Sequence, residues 1–393
     1  MLNMLKRTIA LELQSFYNYI KGRLYHPSAS ITSSAFTQSR QKLSPDVFVG
    51  MNQVLINEYY TDNDQRVKLW KIHRLMSIDG STIMLPFSEA LKREYGVHNN
   101  QKKTDDVIIA RVSVLYDVLN EIVLSGILSP FKNGEKTLAQ DHIKSIAKND
   151  LVILDRGYPS FELAYNIIQK GADFLFRCKH NFNQATVEFM QSVLKETIVE
   201  IYPKQHQSFK NKIITAKDKL TVRMLKVDLE DGEVELLMTS LINQQDYPYT
   251  DFKDLYFKRW AVETFYNRLK NILSVENFSG LTSQAILQDF MCALFISNVQ
   301  SLILEEVQEK YNKNSNKRKY EYKINTSISL GFLKNRIIEL FIEKGSDATL
   351  YELEKLLIEH TIPIRKGRKF LRNTDKYRRR TKPPMFHNRK KNI

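Results

Sequence analysis

The sequence predicts an α/β chain, with a mixed sheet layer flanked by helical regions and a mostly β stretch set into it. Three observations carry this. Residues 1–65 and the region after Thr282 place apolar residues at helical spacing. Between Lys71 and Arg177, short apolar runs alternate with amphipathic segments. Residues 180–250 hold three runs with partial two-residue alternation. A group of strands followed by helix, strand, helix and strand is the pattern of a mixed α/β layer.

Each element has a local reason. Leu5 to Ile20 reads as a helix, with Gly22 as its stop. Ser33 or Ser34 caps a short helix through Leu43, and Ser44-Pro45 starts another. Gln38, Arg40, Gln41 and Lys42 lie on the middle helix. That arrangement is compatible with a helix-turn-helix-like DNA reader, and equally with any small helical subdomain. HRLMSIDGSTIMLP reads as two strands around a tight Asp79-Gly80 turn. Residues 105–126 form a long β run with room for two strands. Glu135 to Ala147 is a helix, and Asp150 to Asp155 is a short apolar strand of the kind buried on both faces. Gly157-Tyr158-Pro159 turns into a helix from Phe161 to Lys170, and Phe174 to Arg177 is the next strand. ETIVEIYP, KLTVRMLKVDL and EVELLMTSLI are the strands of the β-rich stretch, with a turn at Glu230-Asp231-Gly232 between the last two.

Asp254 to Gly280 then brings together the most chemistry. From Leu255 to Leu273 there is no Gly and no Pro, which predicts one uninterrupted helix. At about 100° per residue, Tyr256, Arg259, Glu263 and Lys270 share an arc of about 60°, opposite Ala261, Phe265, Leu269 and Ile272. By itself this is also what an amphipathic surface helix with a solvated charged face looks like. Thr282 to Gln308 is a further helix with Phe290, Leu294, Val299 and Ile303 toward a core. A polar linker, Asn312 to Lys323, leads to helices at Thr326–Lys344 and Thr349–His360.

Composition narrows the function. Apolar content of 42% and aromatic content of 11% support a sizeable core. Cys178 and Cys292 sit in apolar surroundings without a CxxC, which fits a reducing cytosol. No early segment resembles a signal peptide, and the run FMCALFI is far short of the roughly 20 residues a bilayer requires. The net charge of +15 is lopsided: residues 365–393 carry thirteen Lys and Arg against Asp375 alone. A tail this basic binds polyanions by counterion release, and a nucleic acid is the expected partner, not a membrane.

Three acids stand out by position. Asp79 and Asp155 are expected at strand ends, and Glu263 on the polar stripe of the helix. Such acids can converge at one sheet edge, and three carboxylates suit two Mg²⁺ or Mn²⁺ ions for phosphoryl transfer. Taken singly, each has a plainer reading. Asp79-Gly80 is a common hairpin turn, Asp155 a turn or cap residue, and Glu263 a partner for Arg259 one helical turn earlier. Asp105, Asp106, Asp117 and Asp150 compete, but Asp150 begins its strand and so falls at the opposite edge. His73, His142 and His180 lack zinc spacing, and there is no Gly-rich phosphate loop.

The spacing Tyr256-x2-Arg259-x3-Glu263-x6-Lys270, with SIDGSTIMLP around Asp79 and LVILDRGYPSFEL around Asp155, resembles the Tyr-Arg-Glu-Lys family of bacterial insertion-sequence transposases. The similarity runs from about Lys71 to Leu304. It implies a ribonuclease-H-like core at residues 69–310, interrupted at about 180–250 by a β-rich insertion. Helical spacing and charge outside that span predict a helical DNA-binding region at residues 1–68 and a helical region with the basic tail at 311–393. Asp79, Asp155 and Glu263 would ligate two divalent metals, and Tyr256, Arg259 and Lys270 would hold phosphates of the transposon end. The resemblance further implies metal-dependent 3′-end cleavage and strand transfer by a dimer on paired DNA ends, in the nucleoid-containing cytoplasm. Some members flip a base against a tryptophan. Of the two here, Trp260 lies inside the signature helix, where packing is expected. Two other functions use the same features: a transposase-derived DNA-binding protein without catalysis, and a structure-selective nuclease.

Overall fold

In the computed structural model, eight strands form one sheet. They are β1 (Arg74–Leu85), β2 (Ile108–Asp117), β3 (Ile122–Pro130), β4 (Asp150–Leu154), β5 (Asp173–Cys178), β6 (Glu196–Ile201), β7 (Leu220–Asp228) and β8 (Val234–Thr239). Their order is β3-β2-β1-β4-β5-β8-β7-β6. The helices are α1 (Ile9–Lys21), α2 (Ser33–Gln41), α3 (Asp46–Asp62), α4 (Glu89–Tyr95), α5 (Glu135–His142), α6 (Phe161–Gln169), α7 (Gln184–Gln191), α8 (Asp251–Phe257), α9 (Trp260–Asn267), α10 (Ser283–Asn314), α11 (Thr326–Leu333), α12 (Arg336–Ile342) and α13 (Ser346–Glu359). A small hairpin pairs β9 (Tyr322–Ile324) with β10 (Thr361–Pro363). The structure describes residues 1, 8–21, 31–62, 66–97, 107–203, 209, 213–229, 232–314, 320–334, 336–342 and 346–365. The stop expected at Gly22, Asp105 and Asp106, and the basic tail from residue 366 onward lie outside them.

The chain divides into two units. One comprises Met1–Leu55, Ile83–Ile109 and Asn267–Ile393, the other Ile56–Thr82 and Ala110–Tyr266. The second unit holds most of the sheet. β4 runs parallel to β1 and β5, while β2 and β3 form an antiparallel hairpin beyond β1. This centre has the strand order expected of a ribonuclease-H-like core. β8, β7 and β6 follow in antiparallel pairing from β5, so the β-rich stretch extends the same sheet. β4 is buried along its whole length, as its unbroken apolar run requires. α6 is started by Ser160, whose Oγ accepts from the Leu163 amide at 3.2 Å, and buries Phe161, Leu163, Ala164 and Ile167. α7 interrupts the region read as mostly β. It is nucleated by a reciprocal box in which Asn183 Oδ1 accepts from Thr186 N and Thr186 Oγ1 accepts from Asn183 N.

β1 corrects the sequence reading. The two strands expected around Asp79-Gly80 are one strand that passes straight through them. Gly80 is not in the left-handed region, unlike Gly96, Gly171 and Gly232. Its missing side chain serves a close approach instead: a Cβ there would meet Glu135 Cγ at 3.1 Å and the Tyr158 hydroxyl at 3.2 Å.

The other unit is helical, around a core that includes Phe48, Phe295, Ile296, Leu330, Ile337 and Leu353. Arg40 on α2, a helix compatible by sequence with a DNA reader or with any small helical subdomain, is only 6% exposed. Its guanidinium donates to Gln288 Oε1 (2.8 Å), Ser279 Oγ (2.5 Å), the Ala285 carbonyl (3.1 Å) and Asp289 Oδ1 (3.1 Å). Arg40 therefore ties α2 to α10, and Gln38, Gln41 and Lys42 remain the exposed polar residues there. One helix among the described residues, Ser283–Lys313, is long and apolar enough to cross a membrane by composition. Most of that stretch is buried in the protein, and Gln288, Ser297, Asn298 and Gln300 are buried along it, as suits a core helix. In the same unit, the expected helix from Thr326 to Lys344 is two helices, α11 and α12.

Candidate active site

The register of β1 on β4 sets the geometry. Arg74 pairs with Asp150 and Ser77 with Ile153. The same offset carried forward puts Asp79 level with Asp155, one residue past the end of β4. Asp155 thus stands at a strand end as expected, whereas Asp79 lies mid-strand on the part of β1 that continues past the end of β4.

Each aspartate is held through one oxygen. Asp79 Oδ1 accepts from the Gly80 amide at 2.9 Å and from the Tyr158 hydroxyl at 3.5 Å. Asp155 Oδ1 accepts from the Arg156 amide at 2.7 Å and the Tyr256 hydroxyl at 3.1 Å, with Arg177 Nη1 at 3.6 Å. The Tyr266 hydroxyl donates to the Asp79 backbone carbonyl at 2.7 Å. Among the described residues, neither Oδ2 accepts a hydrogen bond.

The two acids are electrostatically unlike. Burial pushes the Asp79 carboxyl up to about 6, and the neighbouring charges of Glu263 and Asp155 add to this against the Gly80 amide and Arg259. Burial also opposes ionisation of Asp155. There the Arg156 amide, Arg259, the Tyr256 hydroxyl and Arg177 outweigh it and hold the carboxyl below the usual range. Paired carboxylates driven apart in this way are a recurrent property of reactive sites. Burial raises the Tyr158 and Tyr256 phenols, so both remain hydrogen-bond donors throughout the physiological range.

The third acid arrives on a helix that is not the uninterrupted one its composition predicts. α8 ends at Phe257 and α9 begins at Trp260. Between them the amides of Lys258, Arg259, Ala261 and Val262 donate three residues back, which overwinds the chain. Arg268–Ile272 then opens into a π turn, where the Leu273 amide donates to the Arg268 carbonyl. The overwound segment carries Arg259, which is 3% exposed and donates to Glu263 Oε1 at 2.9 Å. Arg259 Nε is buried without a partner among the described residues. The guanidinium carbon lies 4.9 Å from the Trp260 ring centre, and Trp260 is 40% exposed where packing was expected. Lys270 falls on the π turn in the other unit, where burial lowers its ammonium against the pull of Glu276.

Asp79, Asp155, Tyr256, Arg259 and Glu263 are thus brought together within one unit. Among the described residues, no group of three His, Cys, Asp or Glu side chains is gathered tightly enough to hold a metal ion. The donor chemistry suits a hard cation: two carboxylates with open oxygens whose mutual charge is costly, and a third paired to Arg259. Tyr158, Arg177 and Tyr266 were missed by sequence reasoning. Arg177 had a signal, a lone cation in the apolar run FLFRC, and it bridges Asp155 to Glu235. Tyr158 reads in sequence only as part of a turn, and Tyr266 has no distinguishing signal. Of the competing acids, the two described ones are otherwise engaged. Asp117 is buried and bonded to Tyr60 and Asn120, and Asp150 accepts from both arms of Arg74. The three histidines weighed from the sequence have structural partners, with His73 on Asn149 and Tyr247, His142 between Ser125 and Ser113, and His180 on the Val234 carbonyl.

The sequence model of a transposase DDE domain matches residues 70–299, a span that includes all three acids. The chain belongs to the transposase DDE domain family. It is similar to the putative transposase InsZ of Escherichia coli K12, at 26% identity over 36% of this chain and 48% of that protein. It is also similar to the transposase for insertion sequence element IS231B of Bacillus thuringiensis subsp. berliner, at 20% identity over 69% of this chain and 64% of that protein. A third relative is the transposase InsG for insertion sequence element IS4 of Escherichia coli K12, at 24% over 40% of this chain and 35% of that protein. The matched regions thus span about a third to two thirds of these relatives. Among solved structures, a piggyBac transposase synaptic complex with hairpin DNA aligns over 86% of this chain and 68% of that chain, with a TM-score of 0.43 and 10% identity.

Proposed function

We propose that this DDE-family chain is an insertion-sequence transposase of the Tyr-Arg-Glu-Lys type that cleaves the 3′ ends of its element and joins them to target DNA. The observation that carries this reading is the placement of Asp79 on β1 level with Asp155 just past the end of the parallel strand β4, each with one oxygen open among the described residues and with the Glu263 charge acting on Asp79. Mg²⁺ or Mn²⁺, two ions held by Asp79, Asp155 and Glu263, would supply activation of the attacking oxygen and stabilisation of the leaving oxygen. Among the described residues, Glu263 accepts from Arg259 on Oε1 only, which leaves Oε2 for a cation, and the Arg259 guanidinium would turn to a phosphate by releasing that bond. Lys270 neutralises phosphate as a point charge. Tyr256 reaches a phosphate only by releasing Asp155.

In this reading residues 1–68 and the basic tail of the 311–393 region bind DNA, with the core at 69–310, and the protein works as a dimer on paired ends in the cytoplasm at the nucleoid. Truncation after Arg365 removes twelve Lys and Arg. It lowers DNA affinity and flattens its salt dependence by about 0.9 for each phosphate that is no longer neutralised, as a titration of binding against KCl reads out.

The deciding experiment supplies DNA bearing the inverted repeats that flank the encoding element, with Mg²⁺. Nicking at the 3′ ends, followed by joining of precleaved ends to a plasmid, supports a transposase. Nicking without joining points to a nuclease, and binding without either to a DNA-binding protein alone.

A further inference from the structure

Asp79 and Asp155 are fixed in matching ways. Each side chain accepts the next residue's amide on Oδ1, and each receives a tyrosine hydroxyl on that same oxygen. The two tyrosines come from different elements. Tyr158 sits in the turn after β4, and Tyr256 is the last but one residue of α8. Both are buried, at 2% and 5% exposure, so neither presents a phenol at the protein surface. The Tyr158 hydroxyl reaches this place because residue 80 is glycine: a Cβ there would lie 3.2 Å from it. Tyr266 adds a third phenol, on the Asp79 carbonyl, fixing the backbone beneath the same carboxylate. Arg177, anchored on Glu235, backs Asp155 from the β5 side.

We propose that Tyr158 and Tyr256 are positioning residues, each clamping one oxygen of an active-site aspartate so that the other oxygen is left for a divalent cation. Tyr256 accordingly serves Asp155 and not the DNA backbone. This rests on the phosphoryl-transfer reading of the site. The chemistry is that of outer-shell support, in which a hydrogen bond to one carboxylate oxygen fixes the rotamer of the ligand and removes the entropy of orienting it. The two clamps differ in length. Tyr256 lies 3.1 Å from its aspartate and Tyr158 3.5 Å, at the long limit of a hydrogen bond, so Tyr256 carries the larger effect.

The test uses Tyr158→Phe, Tyr256→Phe and the wild-type full chain, since Phe keeps the buried ring and removes only the hydroxyl. Binding of Mn²⁺ alone is measured by electron paramagnetic resonance. Affinity for end DNA in Ca²⁺ is measured by fluorescence anisotropy, and thermal melting controls for folding. The expected result for Tyr256→Phe is a Mn²⁺ dissociation constant raised about 10-fold or more, the usual cost of losing an outer-shell partner. DNA affinity stays within about two-fold of wild type. Tyr158→Phe raises the same constant by a smaller factor. Tyr256→Phe that binds Mn²⁺ like wild type but loses DNA affinity overturns the inference in favour of a phosphate contact. Variants that melt lower with unchanged Mn²⁺ affinity overturn it in favour of a packing role. Wild-type protein that binds no Mn²⁺ overturns the catalytic reading itself, a different outcome from a wild type that binds and variants that match it.

Discussion

The β1–β4 strand pair carries an acid at each end of its shared register, and the two ends are built oppositely. At the amino end Asp150 accepts from Arg74 Nε at 2.7 Å and Nη2 at 2.9 Å, and from the Ala147 amide at 2.8 Å. Both of its oxygens are occupied, and its side chain is fully buried. At the carboxyl end Asp79 and Asp155 face the same edge, and each leaves an oxygen unbonded among the described residues. Sequence alone shows only that both ends carry acids. What separates a structural acid from a reactive one is whether the fold satisfies it. In the proposed reading, a strand pair that completes the hydrogen bonds of one carboxylate and withholds them from two others places its stability at one end and its chemistry at the other.

Substitutions at the two ends should therefore behave differently. The largest effect is expected for Asp155→Asn and Glu263→Gln. Each lowers DNA nicking by roughly 10³-fold or more, the scale of removing one member of a catalytic unit, while leaving circular dichroism and DNA binding near wild type. Next comes Arg74→Met, which leaves a buried carboxylate without its cation. It costs about 3–5 kcal/mol in urea unfolding, whatever the DNA substrate.

Asp79→Asn gives a smaller effect of opposite sign. Native Asp79 holds its proton up to about pH 6, whereas the ordinary value is 3.8. Between those pH values the native state binds more protons than the unfolded state, so stability falls as pH rises through the window. The neutral amide escapes this penalty. Asp79→Asn gains about 1–2 kcal/mol at pH 7.5 and nothing at pH 3, read from melting curves at the two pH values, and it loses nicking. The smallest expected change is in the acid limb of wild-type nicking. At limiting Mg²⁺ the rate falls below about pH 6 as Asp79 takes its proton, and excess Mg²⁺ shifts that limb to lower pH.

Much of this was legible in the sequence, because burial on both faces leaves a clear mark. The apolar run of β4, the alternation in β7 and β8 and the strand–helix order gave the sheet, and Asp155 fell at a strand end because its run is so short. What failed was punctuation. Asp79-Gly80 looked like a turn, since the dipeptide serves left-handed turns so often. Here glycine is needed for the room it leaves Tyr158 and Glu135, which depends on residues more than fifty positions away. The helix carrying Glu263 has no Gly or Pro, yet it is overwound at Arg259 and underwound at Lys270, so a uniform 100° wheel misplaces its side chains relative to one another. Arg40 was compatible with a DNA contact because a cation on a short helix usually faces solvent, and nothing local announces Gln288, Ser279 and Asp289 some 240–250 positions later as its partners.

In the proposed function, the open carboxylates at the Asp79–Asp155 edge perform metal-dependent DNA cleavage. The most direct measurement is nicking of inverted-repeat DNA in Mg²⁺ by wild type, Asp155→Asn and Arg74→Met, at a temperature where all three are folded. Nicking is expected from wild type and from Arg74→Met, and none from Asp155→Asn. Equal nicking by wild type and Asp155→Asn, or none by any of the three despite normal DNA binding, would contradict it.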